Sequence, residues 1–140
     1  MLKRLLLACI GMLAVPFGQA ADGTFNQTTA GNYTWDTNSN WVGNIIASGN
    51  GSTANLTSGT TGTINVSLTT DRTIGNINAT THAWVISGPG TLILAGSSTP
   101  TITGPSQSLN ISTTINGTQG MTINGSVTLS GNNIYTGITT

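Results

Sequence analysis

From Thr63 onward the apolar side chains fall in short alternating groups: Ile64/Val66/Leu68, Ile74 and Ile77, Trp84/Ile86, Leu92/Leu94, Ile102, Leu109/Ile111, Ile115, Met121/Ile123, Val127/Leu129 and Ile134. Gly, Asn, Ser, Thr or Pro separates each group from the next. A period of two places every second side chain on one face, which is the pattern of a half-buried strand. No window after residue 20 keeps a helical i, i+3, i+4, i+7 stripe, so the sequence predicts an all-β protein without helices. A sandwich and a parallel β-helix both use short strands. Sandwich strands usually run five to six residues at spacings of about 8 to 12, and the later groups here are shorter. Asn110, Asn116, Asn124 and Asn132 recur at gaps of six, eight and eight residues, which predicts a three-strand coil of roughly twenty residues, a solenoid period. Asparagine suits the corners, because it tolerates the left-handed region and bonds its own backbone. The pattern therefore favours the parallel β-helix. Each inward Ile, Val or Leu then contributes about 1.5 to 3 kcal/mol, provided that a neighbouring coil stacks on it.

The first twenty residues read differently. Lys3 and Arg4 precede an apolar run from Leu5 to Phe17, and Gly18-Gln19-Ala20 is a small-x-small cleavage signal. That run is shorter than the roughly 18 to 20 residues that span a bilayer. A lipoprotein signal around Cys9 is the rival reading, but only four apolar residues would precede it and the run continues beyond. The expectation is a signal peptide that engages the secretion machinery and is cleaved after Ala20.

Removing that segment narrows the chemistry. Arg72 alone remains against Asp22, Asp36 and Asp71, a net charge of −2, with no Lys, Glu or Cys. A basic patch for nucleic acid or anionic lipid is thereby excluded, and so is a disulfide. Thr, Asn, Gly and Ser make up well over half of the remainder. Such a composition often marks disorder, yet the regularly placed β-branched minority predicts order.

The segment Gly125 to Thr140 reads GSVTLSGNNIYTGITT. The strand Val127-Thr128-Leu129 runs into the turn Ser130-Gly131-Asn132-Asn133 and then Ile134-Tyr135-Thr136-Gly137. It resembles the autotransporter-associated β-strand repeat, whose usual form is close to GTLTLSGANTYTGGTT. Leu129, Ser130, Gly131, Asn132, Tyr135, Thr136 and Gly137 carry the match. Ile111 to Gly117 resembles the strand and turn that precede the family's glycine-rich stretch, and Gly120-Met121-Thr122 sits where the family often has Gly-Leu-Thr-Lys. Trp35-Asp36 with Asn40-Trp41-Val42-Gly43 resembles the opening of such domains. The resemblance covers most of the chain loosely and the last thirty residues well. Two departures stand out: Ile123 replaces the usual lysine, and Ile138 puts a β-branched residue where a glycine commonly allows positive φ.

The resemblance implies a right-handed, single-stranded parallel β-helix in a secreted, non-enzymatic bacterial passenger, extracellular or associated with the outer membrane. Its partners would be further repeats or a translocator barrel in a longer chain, and its role would be to aid export and to present or space adhesive domains. The expected organisation is a signal peptide over 1–20, an N-terminal cap and first strands over 21–62, and coils over 63–140. On this reading Val127, Leu129 and Ile134 await a further coil, so the chain reads as part of a longer rod.

Residue types that could do chemistry are few. Asp71, Arg72 and His82 lie nearest one another in sequence, but paired carboxylates are missing and the Asp-Arg pair reads as a solvated turn. His82 has no second His, Cys or Glu for a metal site. No catalytic, cofactor-binding or metal residue is expected, and no cofactor. Tyr33, Trp35, Trp41 and Trp84, with Tyr135, offer the alternative of a carbohydrate-binding or adhesin module contacting surface polysaccharide. Buried packing is the simpler reading, since Trp is mostly buried. Ice binding by threonine ladders is disfavoured, because Thr61-x-Thr63 and Thr99-x-Thr101-x-Thr103 alone do not make a ladder.

Overall fold

The computed structural model describes residues 19–59 and 61–140. The expected leader, apart from Gln19 and Ala20, lies outside the described residues. The strands are β1 (Gly23–Thr24), β2 (Thr29–Thr34), β3 (Thr53–Leu56), β4 (Thr61–Ser67), β5 (Arg72–Ile74), β6 (Asn76–Ala79), β7 (Ala83–Ser87), β8 (Leu92–Leu94), β9 (Thr101–Thr103), β10 (Ser108–Ile111), β11 (Ile115–Asn116), β12 (Thr122–Asn124) and β13 (Val127–Leu129). Among the described residues there is no α-helix, only two single 3-10 turns at Asn38–Asn40 and Val42–Asn44.

Three sheets form, in the orders β1-β3-β6-β9-β12, β2-β4-β7-β10-β13 and β5-β8-β11. Every strand pair is parallel. Consecutive strands enter different sheets, so the chain winds into a parallel β-solenoid of about three turns. A sandwich of antiparallel hairpins is ruled out by that pairing.

The alternating pattern decides which side chains stack inside. In the first sheet Ala54, Ile77, Ile102 and Ile123 align, at spacings of 23, 25 and 21 residues. In the second, Ile64, Trp84, Leu109 and Val127 align at 20, 25 and 18, beside the column Val66, Ile86, Ile111 and Leu129. The core is thus one continuous stack. It thins toward the last coil, where Ile123, Val127 and Leu129 are only partly buried and Ile134 is 56% exposed. Coil length varies because the corners differ, while the strand register holds apart from a shift between Thr29 and Gly31 in the β2–β4 pair.

The asparagines correct the expectation about corners. Asn110, Asn116 and Asn124 lie within β10, β11 and β12, alternating with core residues. The left-handed corners belong to glycines such as Gly120 and Gly125, with Asn44 and His82 as the non-glycine residues of positive φ. Asn44 and His82 sit in turns where that conformation is unfavourable for most side chains.

Corners also break the ladder and leave backbone N–H groups without a strand partner, which buried or half-buried chain does not tolerate. Polar side chains from another coil accept them. Asp22 Oδ1 accepts the Thr53 N–H at 2.6 Å, Asp36 Oδ2 that of Thr69 at 2.9 Å, and Asp71 Oδ1 that of Thr91 at 2.8 Å. Asn76, Asn133 and Gln119 do the same for Thr101, Ile115 and Gly96, at 3.0, 3.0 and 2.8 Å. All three aspartates therefore serve as stitches between coils.

Candidate functional site

Most of the side chains singled out in the sequence lie toward the two ends of the solenoid, while His82 and Trp84 sit just before and on the central strand β7. At the first end, β1 is the edge of its sheet. The returning segment forms isolated antiparallel bridges with the residues that flank it, at Phe25–Trp41 and Ala21–Ser48, and the Ala21 N–H reaches the Ser48 carbonyl at 2.8 Å. Gly23 lies between: a Cβ there would stand 2.5 Å from the Ala47 nitrogen, so only glycine lets the two chains meet.

Five rings fill the space behind this contact. Phe25 meets Trp41 edge-on at 5.1 Å, Trp84 at 5.9 Å and Tyr33 at 6.1 Å, and Trp35 meets Trp41 at 5.0 Å. These separations are those of favourable edge-to-face aromatic pairs. Trp35, Trp41 and Trp84 are 0%, 1% and 0% exposed. Each indole N–H donates to a backbone carbonyl, of Ala47, Trp35 and Thr81 respectively. None of these three rings presents a face on which a sugar could stack. Tyr33 is half-buried and its hydroxyl donates to the Thr29 carbonyl at 3.1 Å.

Asp71 and Arg72 do not act together. Asp71 stitches Thr91, whereas Arg72 forms an ion pair with Asp36. Arg72 pairs in register with Leu92, which pairs with Ile115, so it occupies an otherwise apolar column at the edge of its sheet. Both side chains are about four-fifths covered, and the Arg72 Nε is buried without a partner. Partial burial of Asp36 raises its pKa, but hydrogen bonds from Thr69, Arg72 and Thr70 outweigh that effect and hold the carboxyl at about 2. The sequence concealed this pair because its members stand 36 positions apart. The only legible hint was a lone cation against three acids in the sequence after residue 20. His82 stays in the turn before β7, where a Cβ on Gly59 would stand 3.1 Å from its ring.

At the other end lies the stretch that resembles the repeat. Residues 130–140 form no strand but follow the preceding coil. The N–H groups of Ser130, Ile134 and Thr136 donate to the carbonyls of Ile111, Ile115 and Gly117 at 2.9, 2.9 and 3.0 Å. Leu129 and Tyr135 pack partly on the core, Ser130 Oγ donates to Asn110 Oδ1 at 2.8 Å, and Asn132 and Thr136 are exposed. The motif glycines answer to close approach: a Cβ on Gly131 would overlap the Thr113 carbonyl oxygen, and one on Gly137 the Gly120 backbone. Ile138 keeps a negative φ and is 80% exposed, so the substituted corner is not left-handed.

Among the described residues, no three of His, Cys, Asp and Glu gather at one point, and no cavity opens. No helix there is long and apolar enough to cross a membrane, a statement that does not bear on β-barrels. No family model, no curated protein and no solved structure matches the chain.

Proposed function

We propose that this chain is a secreted, non-enzymatic structural module, a right-handed solenoid segment of an autotransporter-type passenger that presents or spaces other domains. One observation carries the reading: the aspartates are used to stitch one coil to another, so the carboxylates of the chain are spent on stacking. A solenoid whose coils touch only their neighbours extends stepwise, which suits folding as a chain emerges through a pore. The aromatic segment acts as the N-terminal cap, covering the β1 edge that would otherwise template pairing with another chain. Further repeats or a translocator barrel in a longer chain are the natural partners. The alternative, sugar stacking on Trp35, Trp41 and Trp84, loses support because these rings are buried.

The export half of the proposal is tested by expressing residues 1–140 in a Gram-negative host and sequencing the N-terminus of the protein in each fraction. The expected product begins at Ala21 outside the cytoplasm. A product retained in the cytoplasm with residues 1–20 attached would overturn it.

A further inference from the structure

The three outer faces of the solenoid are not alike. On the first sheet, outward side chains form two unbroken polar columns. One is Thr53, Asn76, Thr101 and Thr122; the other is Thr24, Asn55, Asn78, Thr103 and Asn124. The inward positions between them are Ala54, Ile77, Ile102 and Ile123. The second sheet interrupts its outer column with Val85 between Asn65 and Asn110, and the third places Ile93 between Thr73 and Asn116. The sequence hid this array because the rows are TAN, NIN, TIT and TIN, at unequal spacings. A search for Thr-x-Thr finds one row of four.

Much of its hydrogen-bonding capacity is unspent. Asn78 Nδ2 donates weakly to Asn55 Oδ1 at 3.4 Å, and Asn76 Oδ1 accepts the Thr101 N–H. Among the described residues the Thr53, Thr101 and Thr103 hydroxyls make no hydrogen bond to protein, whereas that of Thr122 lies 3.3 Å from the Thr140 hydroxyl. Parallel strands repeat at about 4.8 Å and alternate residues at roughly 6.6 Å, too far for one hydroxyl to satisfy the next. No ionisable side chain occupies either column.

We propose that this face binds an uncharged linear polysaccharide laid along the solenoid axis. Sugar hydroxyls both donate and accept, as do the threonine hydroxyls and asparagine carboxamides that face them. The absence of charge matches a neutral chain and leaves nothing to recognise nucleic acid or an anionic polymer. A second copy of the protein is a poor occupant: the columns cover on the order of 200 Å², against about 800 Å² per partner in a stable interface. A rigid ice lattice is also a poor match, because Asn and Thr differ in length and are mixed without a regular order within each column. A flexible chain follows that relief. This reading does not depend on export and survives its failure, since the folded chain alone is assayed.

Electrophoresis in native gels containing a linear β-glucan, an α-glucan or a mannan tests it. At least one should retard the protein. The triple variant Asn55→Ala, Asn78→Ala, Thr103→Ala should weaken that retardation by about tenfold or more, as three lost hydrogen bonds imply. The control Asn65→Ala, Asn110→Ala on the second sheet should leave it unchanged, and circular dichroism should be the same for all three proteins. Retardation by none of the polymers overturns the proposal, as does equal retardation of the triple variant. Thermal hysteresis that the triple variant abolishes, without polysaccharide retardation, overturns it in favour of ice.

Discussion

The two ends of the solenoid face the same physical problem and meet it differently. At the first end a returning segment crosses antiparallel to β1 and brings Trp35 and Trp41 over the core, together with the Asp36–Arg72 pair. At the other, residues 130–140 follow the last turn in the direction of the coil and cover it incompletely, leaving Ile134 and Ile138 exposed. Antiparallel cover closes a sheet edge with bulky rings. Parallel cover repeats the coil and leaves an edge like the one below it. The contrast teaches that closure here depends on a change of chain direction together with ring volume, while propagation needs only small residues at corners.

The largest test of that contrast removes a ring. Trp41→Ala should destabilise the chain by about 3 to 5 kcal/mol, the range for deleting a large buried aromatic. Leu129→Ala, at the partly covered end, should cost clearly less. Urea melts of both variants measure the difference. Equal losses would mean that the two ends are closed to the same degree.

Next in size is a change at a corner. Gly131→Ala forces a Cβ into the Thr113 carbonyl oxygen and should cost about 1 to 3 kcal/mol, as overpacking does. The damage should stay local, because the residues beyond it hang on the Ile115 and Gly117 carbonyls. Amide exchange should speed up at Ile134 and Thr136 and stay slow at Ile86 and Trp84. Acceleration throughout the coils would contradict the neighbour-only stacking assumed here.

Much of this architecture was readable from alternation. Ile64 and Val66, Trp84 and Ile86, and Leu109 and Ile111 marked three stacked strands, and the estimated coil of roughly twenty residues lay near the true 18 to 25. Two things were not readable. Alternation says which side chains point inward but not which strand lies above which, so the Thr/Asn columns emerge only when unequal corners are aligned. Ion pairs between coils are likewise invisible, since nothing near Asp36 in sequence marks Arg72. The asparagines misled for a related reason: a residue that tolerates corners also suits an outward ladder, as Asn55 and Asn78 show.

The ion pair sharpens the comparison from the side of charge. Asp36 has its carboxyl at about 2 in the folded chain, below an ordinary 3.8. A carboxylate whose pKa falls on folding stabilises the folded state above its unfolded value. That contribution should be full above about pH 4 and vanish as the pH falls through 2. The pair keeps some contact with water, so its worth at neutral pH is at most about 1 kcal/mol. Asp36→Asn should therefore lower stability by that amount at pH 7 and match the parent at about pH 1, below the folded pKa, read by urea melts at each pH. A gap that persists there would assign the effect to packing.

The smallest expected effect lies at Ile138. A β-branched residue here would be costly if the corner required positive φ, and a substitution to glycine would then stabilise the chain. The corner keeps a negative φ and the side chain is 80% exposed. Ile138→Gly should gain nothing and lose up to about 1 kcal/mol through the greater freedom of glycine in the unfolded chain. Ile138→Thr keeps the branching and removes exposed apolar surface, so it should change stability by no more than about 0.5 kcal/mol. Comparing the two in one series of melts isolates backbone from side chain. A gain on Ile138→Gly would show that the corner is strained and that parallel cover at this end, like the glycine contact at Gly23, depends on backbone freedom.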